Sequence, residues 1–264
     1  MHILGLIISV LIGIVLGLVG GGGSILTVPL VNYFFDTSML MATTYSLIVV
    51  TASSLFGVMQ RISSGDINFK IGIYFAIPSM LIAFSIRYWI MPLFPIQFSI
   101  LKLELSRDLV ITTLLIIVML FTAINMLRKK HDENKVHENH NFFHILIFGI
   151  ITGMLSGFIG AGGGFIIVPI LMQLGLTMRS AVGTSMFIIT IQSLVALIGD
   201  FFNPEIMNIG IDWKLVGLLT ILTIAGVFIG TKLHKKVPTI WLSRIFSFVL
   251  MLVAIGMLIK LLNN

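Results

Sequence analysis

"GLVGGGGSILTVPL", residues 17–30, sets four consecutive glycines, Gly20, Gly21, Gly22 and Gly23, inside an otherwise apolar stretch. Glycine in a helix interior costs about 1 kcal/mol relative to alanine, so a helix arriving from the N-terminus stops here. As a single helix, residues 3–35 would run about 50 Å at 1.5 Å per residue, too long for a hydrocarbon core of about 30 Å. The piece after the glycines, 25–35, would be about 16 Å long, too short to cross alone. A helix broken within the bilayer fits best. Backbone polar groups freed at that depth are tolerated only where protein buries them or where they line a watery cavity.

Composition dictates the bilayer. Of 264 residues, 58% are hydrophobic and 10% charged, against about 25% charged in soluble domains. The chain is therefore a polytopic membrane protein. Cysteine is absent, which removes disulfides and thiolate chemistry. The net charge of +6 comes from Lys and Arg at segment ends, where they meet lipid headgroups; it does not point to nucleic acid. The N-terminal "MHILGLIISV" has no basic n-region or cleavage site and is expected to remain as the first membrane segment.

The glycine stretch occurs twice. "GIVLGLVGGGGSILTVPL" (13–30) aligns without a gap to "GMLSGFIGAGGGFIIVPI" (153–170), with identities that include Gly20/Gly160, Gly22/Gly162, Gly23/Gly163 and Pro29/Pro169. The following "ATTYSLIVVTASSL" (42–55) matches "AVGTSMFIITIQSL" (181–194), and "INFK" (67–70) matches "IDWK" (211–214). The polar run "RKKHDENKVHENHN" (128–141) separates the copies. The expected fold is all-α: about eight transmembrane helices in two homologous four-helix repeats, 1–127 and 144–264, joined by a linker at 128–143. The first helix of each repeat is broken at its glycine cluster. Glycine-interrupted segments in corresponding positions of two halves are the best sequence pointer to a transporter's binding site.

The chemistry of such a break suits an anion. A helix N-terminus offers free N–H groups and the positive end of a dipole, and glycine lets a ligand approach the backbone. Ser24 is expected to N-cap the returning helix. Pro29 and Pro169 free the carbonyls of Ile25 and Phe165. The candidate substrate-binding set is therefore Gly20–Ser24 with Pro29, and Gly160, Ala161, Gly162, Gly163 and Gly164 with Pro169. Neutral side chains on the next helix of each copy complete it: Thr44 and Ser46, then Thr184, Ser185 and Gln192. Gly13, Gly17, Gly153 and Gly157 form small-xxx-small pairs and are expected to pack helices. Asp36, Arg61, Arg87, Asp200 and Arg244 lie near segment ends and are expected to anchor at the interface. On that reading no buried carboxylate supports a proton relay.

Other classes lack their residues. No intramembrane histidine accompanies the serines, so no hydrolytic constellation forms, and an enzyme is not expected. No Gly-Lys-Ser/Thr phosphate loop exists, and neither cofactor nor resident metal is expected. His131, His137, His140 and His144 in and beside the linker are expected to be solvated. The remaining alternatives are a permease, a channel using the same breaks as a filter, and a membrane accessory protein.

The double motif, GxxxGxxGGGGSxxxVPL and GxxxGxxGAGGGxxxVPI, resembles that of the sulfite exporter TauE/SafE family, also called the 4-toluene sulfonate uptake permeases. "AVGTS" and "IDWK" are similar to that family as well. The resemblance implies a multi-pass permease of the bacterial inner membrane that moves small sulfur-containing anions such as sulfite, sulfonates or sulfoacetate. The implied partners are that anion and the lipid bilayer, with H⁺ or another ion as the coupling candidate. Oligomeric state and direction stay open. With eight crossings, basic residues divide eight to eight between the two sides, so charge does not orient the chain. Eight helices with parallel repeats are the expected arrangement. Inverted repeats, with each broken segment returning as a hairpin, are the rival.

Overall fold

The computed structural model describes residues 2–95, 97–100, 103–128, 142–234 and 239–263. Most of the linker lies outside these residues, with His131, His137 and His140. Among the described residues the regular structure is helical apart from one short hairpin. Five helices among the described residues are long and apolar enough to cross a membrane: Met39–Ile62, Phe69–Leu93, Arg107–Leu127, Met178–Phe201 and Trp213–His234.

Helix α1 (His2–Val19) ends where the glycines begin. A 3-10 stretch, Gly21–Leu26, leads into α2 (Thr27–Phe34), which doubles back along α1. The proof of the return is at Gly5, where a Cβ would come within 2.8 Å of Phe34. One end of the bundle, end A, thus holds both the start of α1 and the end of α2. Helix α3 (Met39–Ile62) crosses to end B, where the Arg61 guanidinium donates to the carbonyl of Gly17 at 3.0 Å. Helix α4 (Phe69–Ser85) returns to end A and continues through a π turn, Ile86–Ile90, into α5 (Met91–Leu93). The hairpin of β1 (Gln97–Ile100) and β2 (Leu103–Ser106) pairs Gln97 with Ser106 and precedes α6 (Arg107–Arg128), which crosses again to end B.

The second half runs the opposite way. Helix α7 (Phe142–Ile159) starts at end B and lies beside α4 in the same direction: Gly149 meets Pro78, Gly153 meets Ser79 and Gly157 meets Ile86. Helix α8 (Gly164–Gln173) then returns towards end B. Helix α9 (Met178–Phe201) is antiparallel to α3, since Thr51 hydrogen bonds with Ser193 and Thr190 with Ser54, each at 2.9 Å. After α10 (Pro204–Ile209) at end A, α11 (Trp213–His234) runs alongside α1, and α12 (Thr239–Asn263) comes back to end A, where Lys260 sits over Tyr33. The first hairpin opens at end A and the second at end B, against the expectation of parallel halves. Hydropathy marks how long a segment is and says nothing about whether a short one returns to its own side.

Close helix contact explains the small-xxx-small glycines of α1. A Cβ on Gly17 would sit 2.6 Å from the carbonyl of Val227, and Gly13 faces the backbone of Thr223 and Gly226. Small residues let backbones approach where lipid supplies no hydrophobic drive between helices.

At end A, Arg107 makes a two-pronged ion pair with Glu205, at 2.7 and 2.6 Å, tying α10 to α6. The hydrogen bond from Arg107 holds the Glu205 carboxyl below its usual value of 4.5. A carboxylate depressed in this way stabilises the fold above its unfolded pKa, and the contribution is lost as pH falls through the folded one. Glu205→Gln should therefore lower stability at pH 7, by no more than about 1 kcal/mol because the pair is partly exposed. The difference should shrink as pH falls below the usual glutamate range and vanish once Glu205 is protonated in the folded protein. Thermal unfolding of both proteins at pH 7 and at acidic pH measures it; a deficit that persists at low pH would show that the charge is not the cause.

Candidate functional site

The two glycine breaks meet. The backbone of Gly21 lies directly against that of Gly164, with the Ile189 side chain packed on both. Val50 and Ile189 flank Gly162. All of these residues are buried. From this apolar seam, polar groups extend towards each end of the bundle.

Towards end B lies the first break. Gly20 has φ +78°, a left-handed conformation that favours glycine, and a Cβ there would be 2.7 Å from the Ser185 hydroxyl. The last carbonyls of α1 are capped by side chains: the Arg61 guanidinium on Gly17, and the His234 ring, with Nδ1 at 2.6 Å from the oxygen of Leu18. Positive groups at a helix C-terminus are favourable for the dipole. Above them is a cavity of about 520 Å³, lined by Gln60, Arg61, Asp66, Arg179, Lys232 and His234 among others. Its lining carries three fixed cations and one carboxylate.

Towards end A lies the second break. Gly160, at φ +70°, accepts no Cβ, which would fall 2.6 Å from both Arg87 Nη2 and the carbonyl of Thr43. Arg87 and Asp200 form an ion pair at 3.2 Å with neither side chain exposed. Thr43 accepts from Arg87 Nη1 at 3.0 Å, and Thr44 donates to Asp200 Oδ2 at 2.8 Å. The π turn at Ile86–Ile90, where the Met91 N–H bonds back to Ile86, widens the helix and carries Arg87 inward. Such turns often mark functional sites.

Several expected residues land where the sequence reading placed them in the chain but with other partners. Ser24 does not cap α2; its hydroxyl donates to the carbonyl of Gly21 at 2.6 Å, because the 3-10 stretch runs on to Leu26 and offers a carbonyl one turn back. Thr184 accepts the N–H of Asn68 at 2.9 Å, holding the start of α4 rather than a break. Gln192 adjoins the second break: its amide donates to the carbonyl of Thr152 and lies 3.5 Å from where a Gly163 Cβ would be. The hydroxyl of Ser46 and the Oε1 of Gln192 are buried with no partner among the described residues. Gly23 packs on α1 at Ile12 and Leu16, and Ala161 is buried. Gly22 lies within the 3-10 stretch, Pro29 is buried in α2, and Pro169 is half-buried in α8.

The interfacial reading holds for Asp36 and Arg244, which are exposed, and fails for Arg61, Arg87 and Asp200, which are buried. It follows that a buried carboxylate, Asp200, does exist. Local sequence carries no signal for it: a charge at the end of an apolar segment is interfacial only if that end reaches the surface, and here Gly199 is packed under Phe84 and Arg87.

Comparison with known proteins places the chain among membrane transporters. The family model described as "Sulfite exporter TauE/SafE" matches residues 5–257. A protein of Methanocaldococcus jannaschii named "Probable membrane transporter protein" is 27% identical over 96% of this chain and 94% of its own length. A Bacillus subtilis protein of the same description is 27% identical over 91% of this chain and 94% of its own. Another from Bacillus subtilis is 30% identical, covering 88% and 89%. No solved structure matches.

Proposed function

The chain belongs to the sulfite exporter TauE/SafE family of membrane transporters, and from this we propose that it is a secondary permease for small, sulfur-containing oxyanions, working by alternating access around the paired breaks. It is a multi-pass protein of the cell membrane. The observation that carries the proposal is the meeting of the breaks at Gly21 and Gly164, with an unshielded guanidinium edge beside Gly160. An apolar seam with a cationic cavity on its end B side and a buried ion pair on its end A side suits a gate that opens to one face at a time. It suits an open pore less well, because the two backbones touch.

The halves read as inverted repeats, each with one hairpin and three crossing helices. Support comes from exchanged partners: α1 lies on α11 as α7 lies on α4, and α3 meets α11 as α9 meets α4. Orientation follows. Among the described residues, end B carries Arg61, Lys70, Arg128, Arg179, Lys232 and Arg244. End A has Arg107, Lys214 and Lys260, with Arg87 buried there and paired with Asp200. The positive-inside rule therefore favours end B in the cytoplasm, and makes the cationic cavity the cytoplasmic mouth.

Uptake of labelled sulfite and sulfoacetate into proteoliposomes of known orientation tests the reading. Saturable flux of either supports it; none, from folded protein, removes it. The mouth adds a sharper expectation, since a cleft of one sign concentrates counter-ions and is screened by salt. Arg179→Glu with Lys232→Glu, both exposed side chains, should raise KM several-fold for anion presented at end B and flatten its dependence on ionic strength. Flux from end A at saturation should not change.

A further inference from the structure

Arg87 is fully buried, yet only one of its three nitrogens is used. Nη1 takes every contact: Thr43 Oγ1 at 3.0 Å and both oxygens of Asp200 at 3.2 Å. Nε and Nη2, which form one edge of the planar group, have no partner among the described residues. Leaving charged N–H groups unsatisfied in an apolar interior is costly, so this edge needs an explanation. Its surroundings supply one. Nη2 borders Gly160, the first residue of the break, and α8 begins four residues later with no side chain capping its first N–H groups. A cationic fork with two unfilled nitrogens and a helix N-terminus without a side-chain cap thus belong to one loop.

We propose that the Nε–Nη2 edge of Arg87 is the primary ligand of the transported anion, and that it selects oxyanions with two adjacent oxygens over halides. Two parallel N–H···O bonds to a sulfite, sulfonate or carboxylate group fill the fork, whereas a monatomic anion has no second oxygen to offer. Asp200 and Thr43 hold Nη1, which turns the opposite edge to the break. Asp200 also competes with the incoming anion for the positive charge. This inference deepens the permease reading and rests on it.

The test is binding, read as the thermal unfolding midpoint of the purified protein in sodium sulfite, sulfoacetate, sulfate, acetate or chloride at constant ionic strength. At least one oxyanion should raise the midpoint saturably in the wild type, and chloride should not. Arg87→Lys keeps a cation for Asp200 and Thr43 but lacks the fork, and should weaken that binding at least about tenfold, the size of a lost charge-assisted hydrogen bond. Asp200→Asn should tighten it. Equal affinity in Arg87→Lys, or chloride bound as well as the oxyanion, overturns the role of the fork and leaves the permease reading standing. No saturable shift with any of these anions in the wild type counts against both. Should Arg87→Lys not fold, Asp200→Asn decides alone, and unchanged or weaker binding overturns the proposal.

Discussion

A Gly164→Leu protein is expected to insert and to lose transport, with flux down about 100-fold, the penalty of displacing a working site by about an ångström. At this position a Cβ collides with the backbone of Gly21 and with Ile189. Flexible side chains yield at small cost, but here one of the obstacles is main chain of the other hairpin. Overpacking of this kind costs about 1–3 kcal/mol and forces the breaks apart. Gly217→Leu is the control, since nothing lies within 4 Å of a Cβ on Gly217, and it should transport normally. Flux into proteoliposomes, alongside circular dichroism and size exclusion, makes the comparison. Wild-type flux in the Gly164 variant would mean that the contact between the breaks is scaffolding and the path lies elsewhere.

The second large effect concerns the buried ion pair. Arg87→Leu leaves Asp200 as an uncompensated charge away from water, and removing one partner of such a pair costs about 3–5 kcal/mol. The double variant Arg87→Leu with Asp200→Leu removes both charges, and apolar replacements of a buried pair are often neutral or stabilising. The expected pattern is a single variant that unfolds many degrees lower, a double variant that recovers most of the loss, and no transport by either. Thermal unfolding gives stability and proteoliposome flux gives function. Transport by the double variant would mean that Arg87 and Asp200 only hold α4 to α9.

The pair also shows why charge positions were misjudged from sequence. Arg87 and Asp200 are 113 residues apart, and each sits at the end of an apolar run. Interfacial anchoring is the ordinary fate of such residues. Two things changed it. The π turn at Ile86–Ile90 rotates Arg87 inward, and α5 and the β1–β2 hairpin extend the chain beyond it at end A. Ser24 went astray for a related reason. An N-cap requires a helix to begin, and a 3-10 turn already running through Ser24 gave its hydroxyl a nearer carbonyl.

The membrane class was determined by the sequence by itself, because hydropathy acts locally and can be summed along a chain; the two glycine-rich stretches and their likeness were legible there too. The family membership was legible for the same reason, since its motif is a run of adjacent residues. The tertiary structure alone decided that the halves run in opposite directions, that Gly21 and Gly164 touch, and that Arg87 and Asp200 meet behind Gly160. Those facts depend on whether a short helix returns to the side it came from and on how one turn is wound. Such choices are settled by packing energies between segments far apart in the chain, to which local composition is blind.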